Sequence, residues 1–240
     1  MFSRLENMPP TDAEIATQVL ADEYSYRFPS FSASDAVTLG LSIRKRFRGS
    51  SRHNKGKGMV ISIQTIAGHT LFSCTVGDLG HESGIGDVSL DSWACVEGMI
   101  NCVKRTGHSS YYVEKGMGAM GKTPKQLGIQ GAEYRIHGGA FPIWLENAHC
   151  CPIAVVACYS GSSQDDHHLV VNTVRDYLNK IMRNNGSASG PSMPMPSVPN
   201  RESHEWDPST VGGSEFRRAE SPYEQHRDDH RDETGTFAMA

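Results

Sequence analysis

The stretch that decides the reading runs from Gly107 to His168: GHSSYY (Gly107–Tyr112), then HGGAFPIWL (His137–Leu145), then CPIAVVACYSGSSQDDHH (Cys151–His168). A His-Gly-Gly turn leads into a short apolar strand. A β-branched strand follows and ends at Ser-Gly, and an acid-rich turn then opens a helix. Paired glycines let a backbone turn tightly and let a ligand approach closely. Hydroxyls, imidazoles and carboxylates are thus interleaved with two strand signals, the pattern of a ligand-binding sheet edge.

Working outward, residues 12–23 have helical spacing through Ile15, Val19 and Leu20. A second helix is expected over residues 34–48, with Ser34 as N-cap, Val37, Leu41 and Ile43 as its apolar stripe, and Gly49 as its stop. MVISIQTIAGHTLFSCTV (Met59–Val76) predicts a β-hairpin turning at Gly68. A glycine-rich loop follows. Asp87 or Ser89 would then cap a helix through Trp93, Val96, Met99, Ile100 and Val103, ending at Gly107. Residues 108–132 contain five glycines and predict a short extended piece and a long loop. Strands are expected around Tyr134–Ile136, Phe141–Leu145 and Ile153–Tyr159. A last helix runs from about Gln164 to Met182. This order predicts an α+β fold: one mostly antiparallel five-stranded sheet with helices on its faces.

Composition sets the outer limits. The hydrophobic fraction is 38%, below that of ordinary globular domains, and the shortfall is concentrated in residues 184–240. That tail has five arginines against ten acids and almost no aliphatic run. It reads as disordered, available to a protein partner, because it cannot bury enough apolar surface to offset chain entropy. The expected divisions are an N-terminal helical extension over 1–32, a folded domain over 33–183 and the acidic tail over 184–240. Neither half carries the dense basic patch of a nucleic-acid binder. No apolar run is long enough to span a membrane, and the N-terminus lacks the greasy core of a signal peptide. A cytoplasmic protein is expected. The six cysteines lack zinc spacing and are expected to be reduced, buried thiols.

One motif competes with this reading. Gly116–Thr123, GMGAMGKT, satisfies the phosphate-loop pattern letter for letter. Such a loop needs a strand before it and a helix starting at its Lys-Thr, so that N–H groups face phosphate. Here Pro124 follows at once, and no later strand supplies a Mg²⁺-holding aspartate. A nucleotide-using enzyme therefore ranks as a second alternative. Asp165, Asp166, His167 and His168 fit the start of a helix, where acids favour the dipole. A nucleophile pair from Cys150 or Cys151 with His149 has no base or orienting group placed by the sequence.

GHSSYY, HGGAFPI, the β-branched strand ending YSG, and the acids and histidines before VVNTVRDYL together resemble the UPF0303 group of the GlcG/HbpS-like superfamily, often labelled haem-degrading, in a fungal-type version. The resemblance covers about residues 33–183. It implies a profilin-like α/β/α fold and large homo-oligomers, and some superfamily members bind haem or tetrapyrroles. It implies a ligand rim at His108, Ser109, Ser110, Tyr111, His137, Gly138, Gly139, Phe141, Pro142, Ser160 and Gly161. Two departures stand out: Glu97 replaces a basic residue one turn after Trp93, and Cys150-Cys151-Pro152 replaces small residues. Haem is the leading ligand and His137 the leading iron donor, followed by His108 and Tyr111, because a neutral imidazole offers a lone pair. The alternative is an oligomeric adaptor whose sheet domain is purely structural. The sequence assigns no reaction.

Overall fold

The computed structural model describes residues 9–79 and 88–187. The possible cap at Asp87, most of the glycine-rich loop and the tail beyond Ser187 lie outside the described residues.

The element order is α1 (Asp12–Ser25), β1 (Arg27–Phe28), α2 (Ala33–Arg48), α3 (Ser51–Asn54), β2 (Met59–Thr65), β3 (Thr70–Val76), α4 (Leu90–Thr106), α5 (Ser110–Met120), β4 (Ala140–Leu145), β5 (Ala154–Tyr159) and α6 (Ser163–Ser187). Among the described residues the sheet has five strands in the order β1-β4-β5-β2-β3. The β4–β5, β5–β2 and β2–β3 pairs are antiparallel, and the β1–β4 pair is parallel. The α+β class with a five-stranded, mostly antiparallel sheet is therefore present.

Period-two alternation builds the layers. Met59, Ile61, Ile63, Phe141, Ile143, Val156 and Cys158 meet α2 and α6 on one face. Val60, Ala140, Val155 and Ala157 meet α4 through Val96, Met99, Ile100 and Val103 on the other. Two polar side chains, Ser62 and Gln64, are also buried in β2. Gln64 is satisfied there: its Nε2 donates to Glu97 Oε1 at 2.6 Å, and its Oε1 accepts from Lys104 Nζ at 3.3 Å. Glu97, the departure from the family pattern, thus serves the sheet.

Several expectations are corrected. The N-cap of α2 is Ser32, whose hydroxyl accepts from Asp35 N while Asp35 returns the bond. That reciprocal capping box outcompetes Ser34. The helix buries Ala36, Leu39, Gly40, Ile43 and Phe47, so Ile43 of the expected stripe lies in the core while Val37 and Leu41 lie 42% and 50% exposed. Ser89 caps α4, and Gly107 ends it with φ +75.

Residues 110–120 form α5 in place of a loop, capped by Ser109 and closed by left-handed Gly121. The helix survives Gly116 and Gly118 because tertiary packing outweighs a weak propensity penalty. Residues 134–136 are not a strand; Tyr134 and Ile136 pack beside buried Cys102, Val113 and Ile129. The fifth strand is the two-residue β1. Its partners are Trp144 and Leu145, so β4 remains the sheet edge at Pro142, which has no N–H to offer a neighbour. Helix α6 continues to Ser187, past the expected end at Met182.

Leu39→Ala should destabilise the fold by about 2–5 kcal/mol through the cavity it leaves. Val37→Ala should change stability by about 0.5 kcal/mol or less. Urea unfolding of the two variants checks which face of α2 is buried.

Candidate functional site

The residues expected to form one rim fall into two neighbourhoods. The first lies at the end of the sheet where β5 leaves and β4 begins. Gly138 is buried, and a Cβ there would overlap the Ser163 backbone oxygen and the Tyr111 ring. Its N–H donates to Glu114 Oε2 at 2.9 Å and Ser163 Oγ at 2.6 Å, and Ser163 also hydrogen-bonds Glu114. Gly139 has φ +135, a conformation glycine adopts without a Cβ penalty. His137 is half-buried, with its ring edge-on to Tyr159 at 5.1 Å. Its Nδ1 lies 2.9 Å from Gly138 O. A carbonyl only accepts, so Nδ1 carries the hydrogen and Nε2 holds the lone pair.

Beside it, Asp166 is fully buried. Its carboxylate accepts from the Ser160 backbone N–H at 2.7 Å, the Ser160 hydroxyl at 2.5 Å and Arg52 Nη1 at 2.6 Å. Burial pushes the Asp166 carboxyl up, while Ser160 and Arg52 oppose that shift. A helix-start cap does not account for it. Asp166 ties the end of β5 to α6 and α3, and Gly161 makes the turn between them with φ +89. His167 is buried as well, stacked on Tyr111 at 4.5 Å, with Nδ1 buried and without a hydrogen-bond partner. Burial lowers its pKa to about 3, so the ring is neutral at ordinary pH.

The second neighbourhood surrounds His108. Glu23, only 3% exposed, projects from α1. Its Oε1 accepts from Ser109 N at 2.7 Å, and its Oε2 lies 2.9 Å from His108 Nδ1. This uses Nδ1 and leaves Nε2 as the imidazole's free nitrogen. His108 and Thr106 line two cavities at once. One, of about 180 Å³, is walled by Tyr112, Val113, Met117, Met120, Leu127 and Ile129. The other, of about 380 Å³, is lined by Arg27, Lys104, Arg105 and Trp144, together with Cys150 and Cys151.

Between these regions, Ser109 caps α5, and Ser110 Oγ accepts from Ala140 N at 3.1 Å. Tyr111, Phe141 and Pro142 are buried in the fold. Arg52, Glu114 and Glu23 were missed by sequence reasoning, and Asp166 was expected only as a helix-start acid. Arg52 gave no signal in a polar loop. Glu23 did: it occupies the inward helical position after Ala16 and Val19.

Gly116–Met120 is the C-terminal half of α5 and Gly121 its left-handed cap. A phosphate there would face helix carbonyls, the opposite of a phosphate loop. Cys95, Cys102 and Cys158 are buried and Cys74 is half-buried, but Cys150 and Cys151 are exposed, contrary to expectation. Among the described residues, no three His, Cys, Asp or Glu side chains converge as a metal site, and no helix is long and apolar enough to cross a membrane.

Residues 31–175 match the family model described as haem-degrading protein HbpS-like. The chain belongs to the HbpS-like family. A UPF0303 protein of Rhizobium johnstonii is 32% identical over 164 residues, 68% of this chain and 91% of that relative. A UPF0303 protein of Schizosaccharomyces pombe is 28% identical over 179 residues, 73% and 90% of the two chains. The crystal structure of the Ybr137w protein superposes with a TM-score of 0.59 at 24% identity, covering 70% of this chain and 89% of that one. That likeness supports the fold.

His167 gives the protein an acid dependence. A histidine with a depressed folded pKa stays neutral in the fold but gains a proton when unfolded, so stability is full above pH 6.5 and falls as pH drops toward 3. The slope from this one group approaches about 1.4 kcal/mol per pH unit. Denaturant melts at a series of pH values should show His167→Phe flattening that limb.

Proposed function

We propose that this protein binds haem or a closely related tetrapyrrole. The observation that carries the proposal is His108, held by a buried carboxylate at the boundary between an apolar cavity and a cationic one. Haem has the same division, an apolar macrocycle bearing anionic propionates. Its iron, held by the macrocycle, would take a further donor from the protein. The donor set fits: the bond from His108 Nδ1 to Glu23 orients the ring and leaves Nε2 for iron, as metal-ligating histidines are commonly braced. Met117, Met120 and Ile129 supply apolar contact, and Arg27, Lys104 and Arg105 supply charge for propionates. Bound haem would contribute iron redox chemistry; these residues bind, orient and shield it. The family description, a haem-degrading protein, agrees with this ligand class.

A second reading places the donor at His137, the residue the sequence favours. Its Nδ1–Gly138 O bond also leaves Nε2 with the lone pair. Haemin titration followed at the Soret band separates the two. His108→Ala should weaken binding at least tenfold, about 1.4 kcal/mol, and Glu23→Gln should shift the band. Loss of binding in His137→Ala with no change in His108→Ala would move the site to the sheet edge. No specific haemin binding by the wild type would remove the proposal and favour the adaptor reading.

Self-association is part of the same proposal. β3 pairs with β2 on one side and forms the outer edge of the sheet, and the α2 surface above it exposes Val37 and Leu41. Open edges with apolar neighbours favour pairing with another chain. Light scattering at micromolar concentration should give a mass above that of the monomer; a monomer would refute it.

A further inference from the structure

We propose that Cys150 and Cys151 form a thiol–disulfide exchange site selective for small anionic disulfides, of which oxidised glutathione is the type. The six thiols are not equivalent. Burial pushes the Cys102 thiol up to about 12, Cys158 well above its ordinary value, and Cys74 up as well. The thiolate is the reactive form, so these are poor nucleophiles. Cys150 and Cys151 are exposed, their sulfurs are 3.9 Å apart, and both line the 380 Å³ cavity.

The rest of that cavity specifies the partner's charge. Arg27, Lys104 and Arg105 line it. Arg27 Nη1 is buried without a hydrogen-bond partner, and its guanidinium lies 5.0 Å over the Trp144 ring. Glu23 is the one acid among the lining residues, and both its oxygens are engaged by Ser109 and His108. The lining thus carries three cationic side chains against one hydrogen-bonded acid. A carboxylate-bearing disulfide is attracted and held beside the thiols; a cationic one is repelled.

Ionisation of one member of a thiol pair opposes ionisation of the other, so one sulfur of the Cys150–Cys151 pair attacks at a time. Its proton leaves to solvent, and the thiolate attacks one sulfur of the disulfide. A cysteine–sulfur bond forms as the original S–S bond breaks, and the departing thiolate takes a proton from solvent. The attacking cysteine is oxidised to the mixed disulfide and one half of the disulfide is reduced, so atoms and electrons balance without another reagent.

The chemistry is independent of haem and is read on haemin-free full-length protein. The protein is incubated with oxidised glutathione or with cystamine, a cationic disulfide, and followed by intact mass and peptide mapping. One glutathionyl group should appear on the Cys150–Cys151 pair and vanish in the combined Cys150→Ser and Cys151→Ser variant. The combined Lys104→Gln and Arg105→Gln changes should slow glutathionylation about tenfold without slowing cystamine, and added salt should slow the wild-type reaction with glutathione. Modification confined to another cysteine, no adduct, or equal rates for the two disulfides at low salt would overturn the assignment. The salt series on the wild type decides the charge question even if a variant fails to fold.

Discussion

A carboxylate taken out of water must find hydrogen-bond donors, and Glu23 organises one side of this molecule for that reason. Its donors come from the start of α5: the Ser109 N–H and the His108 ring. Satisfying the charge therefore fastens α1 to the corner between α4 and α5. That corner fixes the His108 imidazole and opens the apolar cavity on one side of it and the cationic cavity on the other. Removing the partners would strand a buried charge, far costlier than losing an exposed ion pair. The brace that holds α1 in place is thus the one that orients the proposed ligand.

The opposite end of the structure solves a similar problem. Asp166 is enclosed by Ser160 and Arg52, so the last strand, the last helix and the short α3 meet at one carboxylate. Gly138 and Gly139 bring β4 close beside it because neither carries a Cβ to obstruct Ser163 or Cys158. His137 stands at this edge against Tyr159, and His108 lines two cavities. Two histidines with the same free-nitrogen arrangement therefore differ in what surrounds them, and surroundings decide what a metal-bearing ligand can reach.

The cationic cavity also joins two chemistries. Arginine and lysine beside apolar walls suit a ligand with acidic arms. The same cations beside two exposed thiols suit an acidic disulfide. Both uses depend on excess positive charge around a hydrogen-bonded Glu23, and neither draws on the buried cysteines, whose burial suppresses thiolate formation.

Local sequence signals alone marked the main strands and helices. Apolar, β-branched runs marked β2 and β5, and cap chemistry narrowed the start of α4 to Asp87 or Ser89 and placed its end at Gly107. The glycine pair after His137 marked a close backbone approach from composition alone. Tertiary structure decided what local signals could not. Helix α5 forms across two glycines because packing outweighs propensity. Ser32 displaces Ser34 because a reciprocal box satisfies more backbone groups, and packing against the sheet selects which face α2 buries. Glu23, Arg52 and Asp166 became site residues only when distant segments met. A sequence records which residues are charged; burial, which creates the need for partners, is a property of the assembled fold.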